Sequence, residues 1–238
     1  MVSISGSKKL KRQMAPLFWG IARKDSRFVV TVRPGSHKKS MSIPSAVFLR
    51  DMLKIVTTLR EAKSAIYGGS VKIDGTVRKS LHHGIGLMDV VELQNIPDIY
   101  RLVPVKGKLL QPLKISEGEK TKKLSKVTKK VTNKGGKTQI GLHDGRTIIT
   151  DTKVNVGDSC LIQVPEQKIL EVIKLEKGSQ ALVTSGINAG KIGNIEAIEE
   201  GTFLLKRKAL LALEDKKIEI PTDIIMAVGK EKPVIQIR

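Results

Sequence analysis

The chain has 238 residues, of which 43 are Lys or Arg and 23 Asp or Glu, giving a formal net charge of +20, and it has a single cysteine. That length fits two or three compact modules, and a charge of this size repels itself unless a polyanion is present, which points to nucleic acid ahead of an anionic membrane surface. One cysteine excludes a disulfide framework or multi-cysteine zinc site, and no apolar run approaches the roughly 20 residues of a spanning helix.

Residues 1–39 hold ten basic residues and one acid, and residues 106–139 hold eleven and two. The intervening 40–105 carry only eight against six, and 140–238 hold fourteen of each sign. Nearly all the excess charge therefore sits in two stretches of weak periodicity. Each is expected to order fully only when phosphates screen it.

The first module is a basic arm, residues 1–41, with Lys8, Lys9, Lys11, Arg12, Arg23, Lys24, Arg33, His37, Lys38 and Lys39. Arg27 to Val32 alternates as a short strand ended by Pro34-Gly35. Trp19, the only tryptophan, is open to two readings: a platform for a base, or a plug against the next module.

Residues 42–105 read as a helix–helix–strand module. Ser42 or Ser45 caps a first helix with Val47, Phe48, Met52 and Leu53, and Ile55 and Val56 close behind, on its apolar face. Thr57 or Thr58 caps a second, where Glu61 completes a capping box, and Gly68-Gly69 stops it. Val71 to Val77 is a hairpin around Asp74-Gly75, and Val90 to Leu93 a third strand. This order resembles the alpha-L RNA-binding motif of ribosomal proteins, pseudouridine synthases and tyrosyl-tRNA synthetases. The resemblance implicates Arg50, Lys54, Arg60, Lys63, Lys72, Arg78 and Lys79 in RNA contact.

Residues 106–175 form a central basic β-rich domain with Lys122, Lys123, Lys134 and Lys137, and an Asp144-Gly145 hairpin. Strand signals recur at Ser159 to Val164, Leu170 to Leu175 and Ala181 to Ser185, as in a small antiparallel barrel or sandwich. Cys160 lies in the first of these apolar runs, Ser159 to Val164, and reads as a core hydrophobe. Residues 176–238 contain Val183 to Ile195, whose Gly186, Gly190 and Gly193 surround Lys191. That segment resembles the KOW motif, which implies an SH3-like barrel whose Gly190-Lys191 loop approaches a nucleic-acid backbone.

Taken together, the basic arm, alpha-L module, basic centre and KOW barrel resemble the archaeal and eukaryotic type of small-subunit ribosomal protein four. Further landmarks are Arg50 to Lys54, Gly86-Leu87-Met88-Asp89-Val90, Lys123 to Val127, Asp144-Gly145-Arg146-Thr147 and Asn155 to Asp158. The chain departs from the family pattern at Lys9-Leu10, at Ser36 and at His82-His83-Gly84. The resemblance implies an α+β multi-module protein, cytoplasmic and within the small subunit. Its implied partners are small-subunit ribosomal RNA and neighbouring ribosomal proteins, with no cofactor, metal, membrane or small-molecule substrate.

Catalytic motifs fail on spacing. Asn133 to Thr138 ends like a phosphate-binding loop, but the required first glycine position is Val131; Gly84-Ile85-Gly86 meets Asp89 where a dinucleotide fingerprint needs glycine. Adjacent His82 and His83 point to opposite sides of an extended chain. An RNA-modifying enzyme would need a further catalytic domain. An elongation factor would need a polymerase-binding domain before the barrel.

Overall fold

The computed structural model describes residues 9–94, 96–133, 135–213, 216–230 and 232–237, with Lys108 described in its backbone alone. Lys8 and Lys134, both expected to contact RNA, lie outside these residues. Three five-stranded antiparallel sheets dominate, and the helices are few and short, so the chain is mostly β rather than evenly α+β.

The local signals have local causes. The helix Leu59–Tyr67 begins at Thr58, whose hydroxyl accepts from the Glu61 N–H while the Glu61 carboxylate accepts from the Thr58 N–H. This reciprocal cap satisfies two backbone donors that the first turn cannot. Ala62 and Ile66 face inward one turn apart. The first helix is shorter than its apolar face suggested: Ser45–Val47 widens into a π-turn over Phe48–Met52, and Leu53 donates to the Phe48 carbonyl. Ile55 and the end of the expected face fall outside it, and Ile55 is exposed.

The first sheet runs Thr76–Val77, Val71–Ile73, Val90–Leu93, Ile99–Val105 and Lys108–Ile115. Its last two strands form one hairpin, pairing Val105 with Lys108. The boundary expected between residues 105 and 106 therefore lies inside a turn, and residues 108–115 complete the preceding sheet. The second sheet runs Thr147–Thr150, Thr138–Leu142, Lys122–Thr132, Ser159–Gln163 and Lys168–Ile173. The third runs Lys217–Pro221, Lys208–Ala212, Ile192–Glu199, Gln180–Val183 and Ile225–Gly229.

Two expectations about the basic stretches need correction. Residues 106–139, read as weakly periodic, build the strands Lys108–Ile115 and Lys122–Thr132. The latter is paired along its length by two partners in turn, Lys122 to Lys126 with Gln163 to Ser159 and Val127 to Thr132 with Leu142 to Thr138. The arm, expected to order only against phosphates, is docked over residues 9–41. It buries Leu10, Ala15, Trp19 and Val32 in a core that continues through the first and third sheets. A smaller core of Val127, Ile140, Leu142, Val154, Cys160, Ile162 and Val164 underlies the second sheet.

Candidate nucleic-acid interface

Exposed cations gather first on the arm. The strands Leu10–Lys11 and Phe28–Val29 pair antiparallel and hold the intervening loop against themselves. Lys11, Arg23, Lys24 and Arg27 line a groove of about 690 Å³ together with Gln13, Asp25 and Ser26. Lys9 and Arg27 stand over the Phe28 ring at 5.7 and 5.3 Å, geometry that favours a cation on an aromatic face. Four long cationic side chains around one concavity suit the backbone of a polyanion. Arg27 was not among the residues singled out from sequence; it lies in the Arg27-Phe28 pair that reads as a strand start.

Of the other expected contacts, Arg33, Lys38, Lys39, Lys54, Arg60, Lys63, Lys72, Arg78, Lys79, Lys122 and Lys137 are exposed. Lys63 lies over Tyr67 on the second helix. The Lys79 stem lies against Gly69, where an added Cβ would meet its Cε at 3.4 Å, so the hairpin's far end abuts the helix terminus. Lys191 is half-buried.

Six expected contacts have other roles. Trp19 is fully buried and donates its indole N–H to the Ser42 carbonyl at 2.9 Å, so it is the plug and not the platform. Arg12 is buried, donating to the Ala22 carbonyl and to Ser26 at 2.7 Å, with Asp25 3.3 Å away. Arg50 is held by its neighbour Asp51 at 2.8 Å. A Cβ on Gly190 would fall 2.5 Å from the Pro104 carbonyl oxygen, so this glycine makes room for the protein's own strand and not for a nucleic acid.

The remaining two, His37 and Lys123, belong to a buried lock. Lys123 Nζ lies 2.5 Å from Asp89, 2.7 Å from Asp74 and 3.0 Å from Asp144. Arg146 adds a 2.6 Å pair with Asp74, and His37 Nε2 sits 3.0 Å from both Asp89 oxygens. Backbone N–H groups of Gly86 and Val90 donate to Asp89 and Asp74. The arm, the first sheet and the second sheet are thereby tied at one point. Three glycines let them close: a Cβ on Gly86 would meet the His37 ring at 2.3 Å, one on Gly84 the Val32 side chain at 2.7 Å, and one on Gly145 the Ser36 carbonyl at 3.2 Å. His82 reinforces the seam with its Nδ1 2.7 Å from the Thr31 carbonyl.

Burial penalises every charge here, and the partners decide the outcome. Burial alone would raise the Asp89 carboxyl, but His37 and Lys123 hold it well below its ordinary value. Asp144 follows the same pattern, with Lys123 and then His143 outweighing burial. Lys123 is raised by Asp89, Asp74 and Asp144 against its own desolvation. His143, beside the lock, is pushed down to about 4 by burial and then by Lys123. As a neutral ring it accepts from the Lys126 N–H and donates to the Leu87 carbonyl, both at 3.2 Å.

Sequence reasoning missed Asp74, Asp89, Asp144 and Arg146 as a unit, although Asp-Gly and Gly-Leu-Met-Asp stood out locally. It also missed Arg101, fully buried on the strand Ile99–Val105. Arg101 binds Glu119 at 2.5 Å and the Gln236 carbonyl at 2.9 Å, tying the C-terminal residues to the first sheet. Among the described residues no group of His, Cys, Asp and Glu is arranged to hold a metal ion, and no helix is long and apolar enough to cross a membrane.

Sheets tied together by buried ion pairs, with cations displayed outside them, define a multi-sheet protein with a cationic surface. The comparisons with known proteins give that class its family. The family model described as ribosomal family S4e matches residues 96–169, and that of the RS4NT domain matches residues 5–40. Small ribosomal subunit protein eS4 of Ignicoccus hospitalis is 37% identical over 255 residues, spanning all of this chain and 98% of the relative. The eS4 protein of Methanothermobacter thermautotrophicus is 37% identical over 240 residues with the same coverage. The crystal structure of the 30S ribosomal protein S4e from Thermoplasma acidophilum superposes with a TM-score of 0.68 at 33% identity, covering 80% of this chain and 96% of that one. The chain belongs to the S4e family of ribosomal proteins, which is not a family of enzymes.

Proposed function

We propose that this chain is a structural constituent of the small ribosomal subunit that binds and stabilises small-subunit ribosomal RNA through phosphate and shape contacts. The observation that carries the reading is the groove bordered by Lys11, Arg23, Lys24 and Arg27, on an arm that the buried lock holds in place. Phosphate contacts release condensed counterions, so affinity should fall steeply with salt. RNA's narrow major groove resists side-chain entry, so backbone and 2′-hydroxyl contacts should outweigh base reading. Residues 42–105 act in this reading as an alpha-L-type surface through Lys54, Arg60, Lys63, Lys72, Arg78 and Lys79. Residues 176–238 act as a KOW-type barrel that touches RNA locally at Lys191. Neighbouring small-subunit proteins are the other partners, in the cytoplasmic ribosome.

The test is binding of a small-subunit ribosomal RNA fragment across a salt series. A log–log slope of several units is expected, since each phosphate contact contributes about 0.7–0.9. Affinity unchanged from low to moderate salt would overturn the reading. Deleting residues 1–39 would remove Trp19 and His37 from the core, so substitutions in the groove give the cleaner comparison.

A further inference from the structure

The turn joining the strands Ile192–Glu199 and Lys208–Ala212 displays three successive large apolar side chains to solvent. Phe203 is 103% exposed, Leu204 87% and Leu205 61%. Single exposed leucines are ordinary, but a contiguous cluster marks an interaction site. The two outermost residues occupy central turn positions, where Gly, Asn, Asp or Pro are the usual choices and where Phe and Leu gain no burial.

The turn is also held in shape. Thr202 N–H donates to the Leu205 carbonyl at 2.9 Å, and the Leu205 N–H donates to the Thr202 hydroxyl at 3.2 Å. Gly201 lies so close to Leu205 and Arg207 that a Cβ would come within 2.7 Å of both backbones. At the base, Lys206 pairs with Asp223 at 2.8 Å and Arg207 with Glu200 at 3.0 Å. A turn closed in this way presents its apolar tip with little left to order on binding.

We infer that residues 202–205 form an apolar plug that seats in a hydrophobic pocket of a neighbouring protein of the small subunit. The inference rests on the proposed ribosomal role and gives one face of the third sheet its partner class. Protein is favoured over RNA on two grounds. Both cations beside the tip are already matched by carboxylates, in a region carrying fourteen charges of each sign. RNA recognition stacks bases on aromatic or guanidinium planes; only Phe203 offers one, whereas Leu204 and Leu205 offer none, so most of the exposed tip suits an apolar protein pocket.

The experiment places p-benzoylphenylalanine at position 203 of the full chain, assembles it into small subunits and irradiates them. The expected product is an adduct that survives ribonuclease and is cut by protease to a peptide from a second subunit protein. An adduct lost to ribonuclease, an adduct between two copies of this chain, or no adduct in assembled subunits overturns the inference. In parallel, the F203S/L204S variant should keep the wild-type unfolding midpoint and RNA-fragment affinity. Its incorporation into subunits in competition with wild type should fall at least about fivefold, the equivalent of about 1 kcal/mol, the level above which an interface residue counts. Equal incorporation overturns the plug, whereas loss of RNA binding by the wild-type chain would instead overturn the ribosomal RNA reading.

Discussion

Lys123 and Asp89 meet as a fully buried ion pair, Nζ to Oδ1 2.5 Å, across the boundary between the first and second sheets. The same carboxylate faces His37 from the arm, and the same ammonium serves Asp74 and Asp144. A tie of this kind adds little net energy over a well-packed apolar substitute, but breaking one side is expensive because the rest is left buried and charged.

Replacing that cation is therefore the severest single change at the lock. Lys123→Met removes the cation that three buried carboxylates share, leaving Asp89 only His37 and leaving Asp74 and Asp144 only Arg146, and should lower unfolding free energy by about 3–5 kcal/mol. Urea titration measures it. A loss below about 1 kcal/mol would mean that the cluster relaxes without its cation.

Gly86 is required by space alone, since its neighbour is the His37 ring. Gly86→Ala should cost about 1–3 kcal/mol through overpacking. Paired with His37→Ala, the two losses should fall short of additivity by at least about 0.5 kcal/mol, as expected for residues in contact. Strict additivity in a double-mutant cycle would show that the ring moves aside freely.

Trp19 should behave as a core residue. Trp19→Ala is expected to cost about 3–5 kcal/mol in stability. Under conditions where the variant remains folded, its affinity for the RNA fragment should match wild type. Weakened binding by a folded variant would restore the stacking role.

Groove cations should act differently. Arg23→Ala, Lys24→Ala and Arg27→Ala should each leave the unfolding midpoint unchanged and reduce the salt slope of RNA binding by about 1. Arg12→Ala, which empties buried hydrogen bonds to Ala22 and Ser26, should instead lower the midpoint. The two classes separate by thermal melts and salt titrations of the same four proteins.

Acid should destabilise the chain in two stages. His143 has its folded pKa depressed from 6.5 to about 4, so between these values the unfolded chain binds the additional proton. Stability therefore falls as pH drops from about 6.5 toward 4, by roughly 3 kcal/mol for a shift of that size. Asp89 and Asp144 are also depressed, and their contribution, present above the ordinary carboxylate range, disappears as pH falls through their folded values. His143→Gln should reduce the first stage to the part carried by His83, which burial and then Arg78 also lower, and leave the second. An unchanged profile in that variant would assign the loss elsewhere.

The sequence by itself determined the features that depend on near neighbours. The Thr58–Glu61 cap and the Asp74-Gly75 turn arise from contacts within a few residues, and the strands at Val90, Thr138, Ser159 and Gln180 show in local alternation and turn chemistry although their pairing partners lie farther along the chain. Its charge, unevenly placed, likewise pointed to a polyanion before any coordinates. Tertiary structure alone decided which cations remain available for one. Lysine and arginine look the same in sequence whether they face a phosphate or a carboxylate. Lys123 finds Asp89 34 positions away and Arg146 finds Asp74 72 positions away, separations that no local pattern encodes. The glycines repeat the lesson: Gly86, Gly145 and Gly190 suggest close approach, but only packing shows that the approaching groups are His37, Ser36 and Pro104 of the same chain.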